Sequence, residues 1–105
     1  MSLDDAYRVL TDDKFNKWIK KNLPTQLKKV LDKKIAYLAS NPQHPSLNTK
    51  KYGVSQQTLK QSQVDEIWEF RINMNFRCVY YVVHSEKTII LAFVGNHEDV
   101  KVRFE

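Results

Sequence analysis

Residues 67–94 read IWEFRINMNFRCVYYVVHSEKTIILAFV. Segments 67–73, 76–84 and 88–94 of this stretch are rich in β-branched and aromatic residues, which predicts three strands. The breaks between them, Met74-Asn75 and Ser85-Glu86-Lys87, leave room only for tight turns. Strands joined so closely must be antiparallel neighbours, which makes a three-stranded meander. The second and third strands carry apolar residues at both parities, so both faces of the sheet need cover.

Upstream, residues 7–10 alternate apolar and polar and predict a short first strand. Thr11, Asp12 and Asp13 then supply an N-cap and first-turn acids. Phe15, Trp18, Ile19 and Leu23 follow at helical spacing and form one apolar stripe. Asn22-Leu23-Pro24 breaks that helix, and Pro24 suits the first turn of the next. Leu27, Val30, Leu31, Ile35 and Leu38 give the second helix its stripe, and Asn41-Pro42-Gln43-His44-Pro45 stops it. Two amphipathic helices so joined form a hairpin that covers one sheet face. The C-terminal segment or a partner is left to cover the other. Residues 46–52 are basic and extended, and residues 53–63 lack an apolar pattern and read as an exposed loop. The fold class is therefore α+β: an antiparallel sheet, made of the C-terminal meander and a short N-terminal strand, with a two-helix hairpin on one face.

The 105 residues suit a single domain spanning 1–105. With 42% hydrophobic and 28% charged residues, the chain can bury a core without metal or disulfide support. The one cysteine, Cys78, lies in a strand pattern and reads as a core residue. The start is acidic (Asp4, Asp5) where a secretory signal would be basic. Apolar runs 78–83 and 89–94 are too short to span a bilayer. A soluble, cytoplasmic protein is expected. The three histidines and Cys78 lack metal-ligand spacing, so neither metal nor cofactor is expected. Net charge is +5, and eight lysines between Lys14 and Lys34 are opposed only by Asp32. That pattern fits a polyanionic partner and equally a solvated helical face.

The run Trp68-Glu69-Phe70-Arg71-Ile72-Asn73-Met74-Asn75-Phe76-Arg77-Cys78-Val79-Tyr80-Tyr81 resembles the paired-arginine hairpin of the RelE/ParE superfamily of toxin–antitoxin toxins. Leu23-Pro24 resembles the family's inter-helix break. Asn41-Pro42-Gln43-His44-Pro45-Ser46-Leu47 resembles its exit from the second helix. Val94-Gly95-Asn96-His97-Glu98-Asp99-Val100 resembles its ending after the last strand. The likeness runs from about Tyr7 to Val100. Where the family often ends on a tyrosine this chain has Lys101-Val102-Arg103, with Phe104 the nearest aromatic.

The resemblance implies metal-independent cleavage of mRNA, ribosome-associated, by the RNA's own 2′-hydroxyl. Such a reaction needs positive charge on the scissile phosphate, a proton acceptor and a proton donor. Arg77 matches the family's phosphate-stabilising position. As an isolated charge on an apolar strand, it is expected to be replaceable by alanine with loss of toxicity but little change in thermal midpoint. Arg71 matches a family position that is Lys or His in some nucleases, and His97, the acid–base candidate, matches one that is often His or Arg. A three-residue hairpin loop places Arg71 across from Arg77 on one face, whereas a two-residue loop separates them. Lys50, Lys51, Glu69 and Tyr81 are candidate RNA contacts. Glu69 serves equally well as an ion-pair partner of Arg71 or Arg77, and His84, of opposite parity to Arg77, reads as structural. Implied partners are a cognate antitoxin protein, mRNA and the ribosome. Two other functions suit the same fold: a ParE-like toxin that binds DNA gyrase without cutting, and a degenerate relative that retains only the antitoxin-binding surface.

Overall fold

The computed structural model describes residues 7–40, 45–53, 55–96 and 98. In chain order the elements are β1 (Arg8–Thr11), α1 (Asp13–Asn22), α2 (Thr25–Ser40), a 3₁₀ turn (Pro45–Leu47), β2 (Lys50–Lys51), α3 (Gln56–Ser62), β3 (Glu66–Arg71), β4 (Phe76–Val83), a second 3₁₀ turn (His84–Glu86) and β5 (Thr88–Asn96). The strands form one sheet in the order β1-β5-β4-β3-β2. As expected, β3, β4 and β5 are consecutive antiparallel neighbours.

The sheet is mixed rather than wholly antiparallel, because β1 runs parallel to β5, with Arg8 opposite Thr88 and Thr11 opposite Leu91. An alternating pattern predicts a strand but not its direction. Since β3 and β5 occupy both edges of β4, the first strand joins the sheet at the outer edge of β5. A parallel junction needs a long crossover, and here everything from α1 to β4 supplies it.

The helical hairpin forms as its stripes predict. Asp12 caps α1, accepting a hydrogen bond from Phe15 N at 2.7 Å. Phe15, Leu23, Leu31 and Leu38 are buried against Phe70, Ile72, Cys78, Tyr80, Val82, Ile89, Leu91 and Val94. Trp18, Ile19, Leu27, Val30 and Ile35 pack around this main core. Burial pushes the Cys78 thiol well above its usual range, in keeping with a packing role.

The segment read as an exposed loop holds a third helix instead. Ser55 caps α3 by accepting from Thr58 N, and Gln63 ends it in the left-handed conformation at φ 59°. Gln63 N donates to the Lys60 carbonyl and Val64 N to that of Leu59, which is the Schellman pattern. The helix anchors through Leu59, on a second cluster made of Tyr52, Val64, Ile67 and Val79. This cluster lies on the sheet face opposite the hairpin, so α3 supplies part of the cover that the strand parities demand. A single apolar anchor among six polar residues is too weak a period to read from sequence.

Candidate functional site

The turn between β3 and β4 decides where the charged side chains point. Ile72 N donates to the Phe76 carbonyl at 2.9 Å, which leaves Asn73-Met74-Asn75 as a three-residue loop. The Asn73 side-chain oxygen clamps that loop by accepting from Asn75 N (2.8 Å) and Phe76 N (2.7 Å). Arg71 is therefore directly opposite Arg77, and Glu69 opposite Val79. Directly opposed residues share a face, so Glu69, Arg71 and Arg77 lie together on the face turned away from the helical hairpin.

Arg77 is not an isolated charge. Its Nη1 donates to Glu69 Oε1 at 2.9 Å, and the Tyr52 hydroxyl donates to Glu69 Oε2 at 2.9 Å. The Glu69 side chain is 4% exposed and that of Arg77 17%. Both carboxylate oxygens are thus engaged, and the guanidinium is held with one edge on a buried anion. This pairing removes the ground for expecting alanine at 77 to leave stability nearly unchanged. Of the two uses open to Glu69, the ion pair is the one formed. Its burial keeps it from standing as an RNA contact.

Arg71 is exposed, and its carbonyl accepts from Lys34 Nζ at 2.6 Å. Burial, and then the Arg71 charge, lower the pKa of the Lys34 ammonium. Lys50 pairs with Glu69 in the β2–β3 register and so shares the arginine face. Lys51 pairs with Trp68 and lies on the other face, where its Nζ is 3.8 Å from Glu66 Oε1. Period-two alternation separates these adjacent lysines, and only Lys50 joins the candidate site. Tyr81 is half-buried on the arginine face, whereas Tyr80 is in the main core. Gly95 is opposite Arg77, and β5 ends at Asn96 opposite Phe76. His97 and Asp99, like His44 and the 41–44 helix exit, lie outside the described residues.

Two groups in this architecture escaped the sequence reading. Tyr52 is seventeen residues from Glu69, and no local pattern links them. A second network ties the start of β1 to the turn after β4 and to β3: His84 Nδ1 is 2.6 Å from the Tyr7 hydroxyl, and Nε2 is 2.6 Å from Glu66 Oε2. The Trp68 indole N–H also donates to Glu66 at 2.7 Å, and His84 N donates to Asp65. Burial pushes the Glu66 pKa up, but the bonds from His84 and Trp68 and the Lys51 charge outweigh it and hold the pKa down. His84 follows the C-terminal end of β4, roughly 20 Å along the strand from Arg77 at the usual rise. It fastens the residue before β1 to the β3–β4 end of the sheet, in line with its structural reading. Among the described residues no three His, Cys, Asp or Glu side chains cluster to hold a metal ion, and no helix is long and apolar enough to cross a membrane.

No family model matches the sequence, and neither does any curated protein. Solved structures do. The toxin–antitoxin complex RelE-RelB from Pyrococcus horikoshii contains a chain matched with a TM-score of 0.67 at 17% identity, over 86% of this chain and 93% of that one. A metal-bound toxin from Helicobacter pylori matches with a TM-score of 0.63 at 22% identity, over 90% of this chain and 98% of that one. A conserved hypothetical protein of the same organism, HP0892, matches with a TM-score of 0.52 at 22% identity over the same shares. The chain has the fold of RelE-like toxins, the superfamily that its hairpin motif resembles.

Proposed function

We propose that this protein is the toxin of a type II toxin–antitoxin pair and acts as a metal-independent endoribonuclease on mRNA, at the ribosome. The observation that carries the reading is the Arg71–Arg77 pair, set opposite one another on one sheet face by the three-residue loop. Two guanidinium groups so placed suit a phosphate that gains charge as the 2′-hydroxyl attacks. Tyr52 and Glu69 hold the Arg77 fork in orientation, and exposed Arg71 approaches the phosphate from solvent. Lys50 tracks the backbone on the same face. His97, next in sequence after Asn96, exchanges the protons. The partner that restrains the toxin is an antitoxin protein, as the RelE-RelB relative suggests.

Because alanine at 77 would orphan a buried carboxylate, the site is tested with Arg77→Lys, Arg71→Ala and His97→Ala. Lysine keeps a cation for Glu69 but loses the two-pronged grip on phosphate. Induction of the unaltered chain should stop protein synthesis before DNA synthesis, with new mRNA 5′ ends visible by primer extension. Each variant should lose those ends while keeping a cooperative thermal transition. If DNA synthesis stops first and the mRNA stays whole, the nuclease reading fails and gyrase binding replaces it.

A further inference from the structure

Beyond the end of β1, which stops opposite Leu91, no strand lies beside the outer edge of β5 among the described residues, and the start of α1 packs there. Between the two lies a pocket of about 330 Å³. Phe15 and Trp18 of α1 form one wall, and Tyr81 and Phe93 of the sheet form another, with Lys14 and Asp12 as its charged lining groups. Phe93 is opposite Val79, which alternates with Arg77 and Tyr81 along β4. The sheet wall therefore belongs to the face that carries Arg71 and Arg77.

The makeup of the pocket suits a flat, polar-edged ring better than an aliphatic side chain. Trp18, Tyr81 and Phe93 are partly exposed and offer stacking surface, which every nucleobase can use. Lys14 offers a donor and Asp12 an acceptor for the edge of a base. Asp12 is fixed in place because its Oδ1 already caps α1 through Phe15 N. Lys14 also begins the lysine row that continues through Lys17, Lys20 and Lys21, all exposed, so cations accompany a strand approaching the pocket. Tyr81 is four residues from Arg77, roughly 13 Å at the usual strand rise. A base here would belong to a nucleotide flanking the cleaved one.

We propose that the pocket between α1 and β5 is a nucleobase subsite, which takes an unstacked base of single-stranded RNA whose neighbouring phosphate lies at Arg71 and Arg77. This rests on the nuclease reading above and adds to it a second point of grip on the RNA. Trp18 and Trp68 are the only tryptophans, so a Trp68→Phe background makes Trp18 the sole indole reporter. The probe is a 2′-O-methyl RNA hexamer, which the protein cannot cut, together with a matched set abasic at one position each. Trp18 fluorescence should be quenched on titration, and one of the abasic hexamers should lose most of the quenching. Phe93→Leu and Lys14→Gln should each weaken the intact hexamer by about tenfold, and the responsive abasic one hardly at all. Lys14→Gln alters only an exposed side chain, so the test survives if Phe93→Leu fails to fold. If Arg71→Ala weakens the hexamer but neither pocket variant does, and Trp18 stays silent, the subsite is wrong and the nuclease reading stands. If no hexamer binds, the subsite falls, and the nuclease reading is decided by its own primer-extension test. If Trp18 responds instead to protein concentration, with a dimer in sedimentation, a second copy of the chain occupies the pocket and the proposal is overturned.

Discussion

Replacing Arg77 with alanine removes the donor that lies 2.9 Å from Glu69 Oε1 and leaves a carboxylate that is 4% exposed, still bonded to the Tyr52 hydroxyl. Breaking a buried ion pair from one side costs about 3–5 kcal/mol, because the remaining charge is stranded away from water. The low end applies here. Arg77 is itself 17% exposed, so the vacated space opens a path for solvent, and the Tyr52 bond survives. A loss of about 3 kcal/mol is a large share of the roughly 5–15 kcal/mol that holds a domain folded. For a chain of this length it lowers the thermal midpoint by roughly 12–24 °C. Calorimetry and urea titration of the two single variants and the pair complete the assay. Adding Glu69→Gln to Arg77→Ala removes the stranded charge and should recover most of the loss, with a coupling energy of about 2 kcal/mol. The reasoning is refuted if Arg77→Ala costs less than about 0.5 kcal/mol, or if the two changes simply add. A toxicity assay on Arg77→Ala alone would then confound folding with chemistry, which is why lysine is the informative replacement.

Three other outcomes follow from the geometry. Glu66, whose pKa is held below its ordinary 4.5, binds fewer protons folded than unfolded, so its contribution to stability is complete above pH 4.5 and fades as pH falls through the lowered value; Glu66→Gln should flatten the acid limb of a midpoint-against-pH curve. Gln63→Gly relieves a left-handed residue at φ 59° and should raise stability by about 0.5 kcal/mol in urea titrations, net of the extra freedom glycine gives the unfolded chain. Cys78, fully buried with its thiol pKa raised, should react with an aromatic disulfide reagent only as fast as the protein unfolds; rapid labelling of the native state would contradict the core placement.

The meander and the helical hairpin were legible because strong periods announce them. Ile67 to Val94 alternates too densely for anything but paired strands, and Phe15 to Leu38 repeats at the helical spacing. The hairpin register was legible only as a choice between two loop lengths. Asn73 decides it by clamping the turn with its side chain, and such a contact has no periodic trace. The direction of β1 and the existence of α3 were not legible, since the first depends on which sheet edge is vacant and the second on one leucine and a cap. Within the candidate site, parity puts Arg71, Arg77 and Lys50 on one face, and removes Lys51, only once the loop length and the β2–β3 register are known. The partners of Arg77 did not follow, because Tyr52 reaches Glu69 only once β2 has joined the sheet.

The parallel junction of β1 with β5 sets an order of events for the chain as it is made. Residues 8–11 are paired with residues 88–91, so β1 must wait for a strand synthesised about eighty residues later. Until then its backbone groups have no ladder, and the main core lacks Ile89, Leu91 and Val94. Loops this long close slowly, and contacts of such sequence separation come late in folding. The Tyr7–His84 bond closes at the same stage, like a clasp. A nascent chain therefore has its Arg71–Arg77 hairpin synthesised before its sheet can be completed, and a partner that acts during synthesis would meet an open β5 edge and a partly exposed core rather than the finished domain.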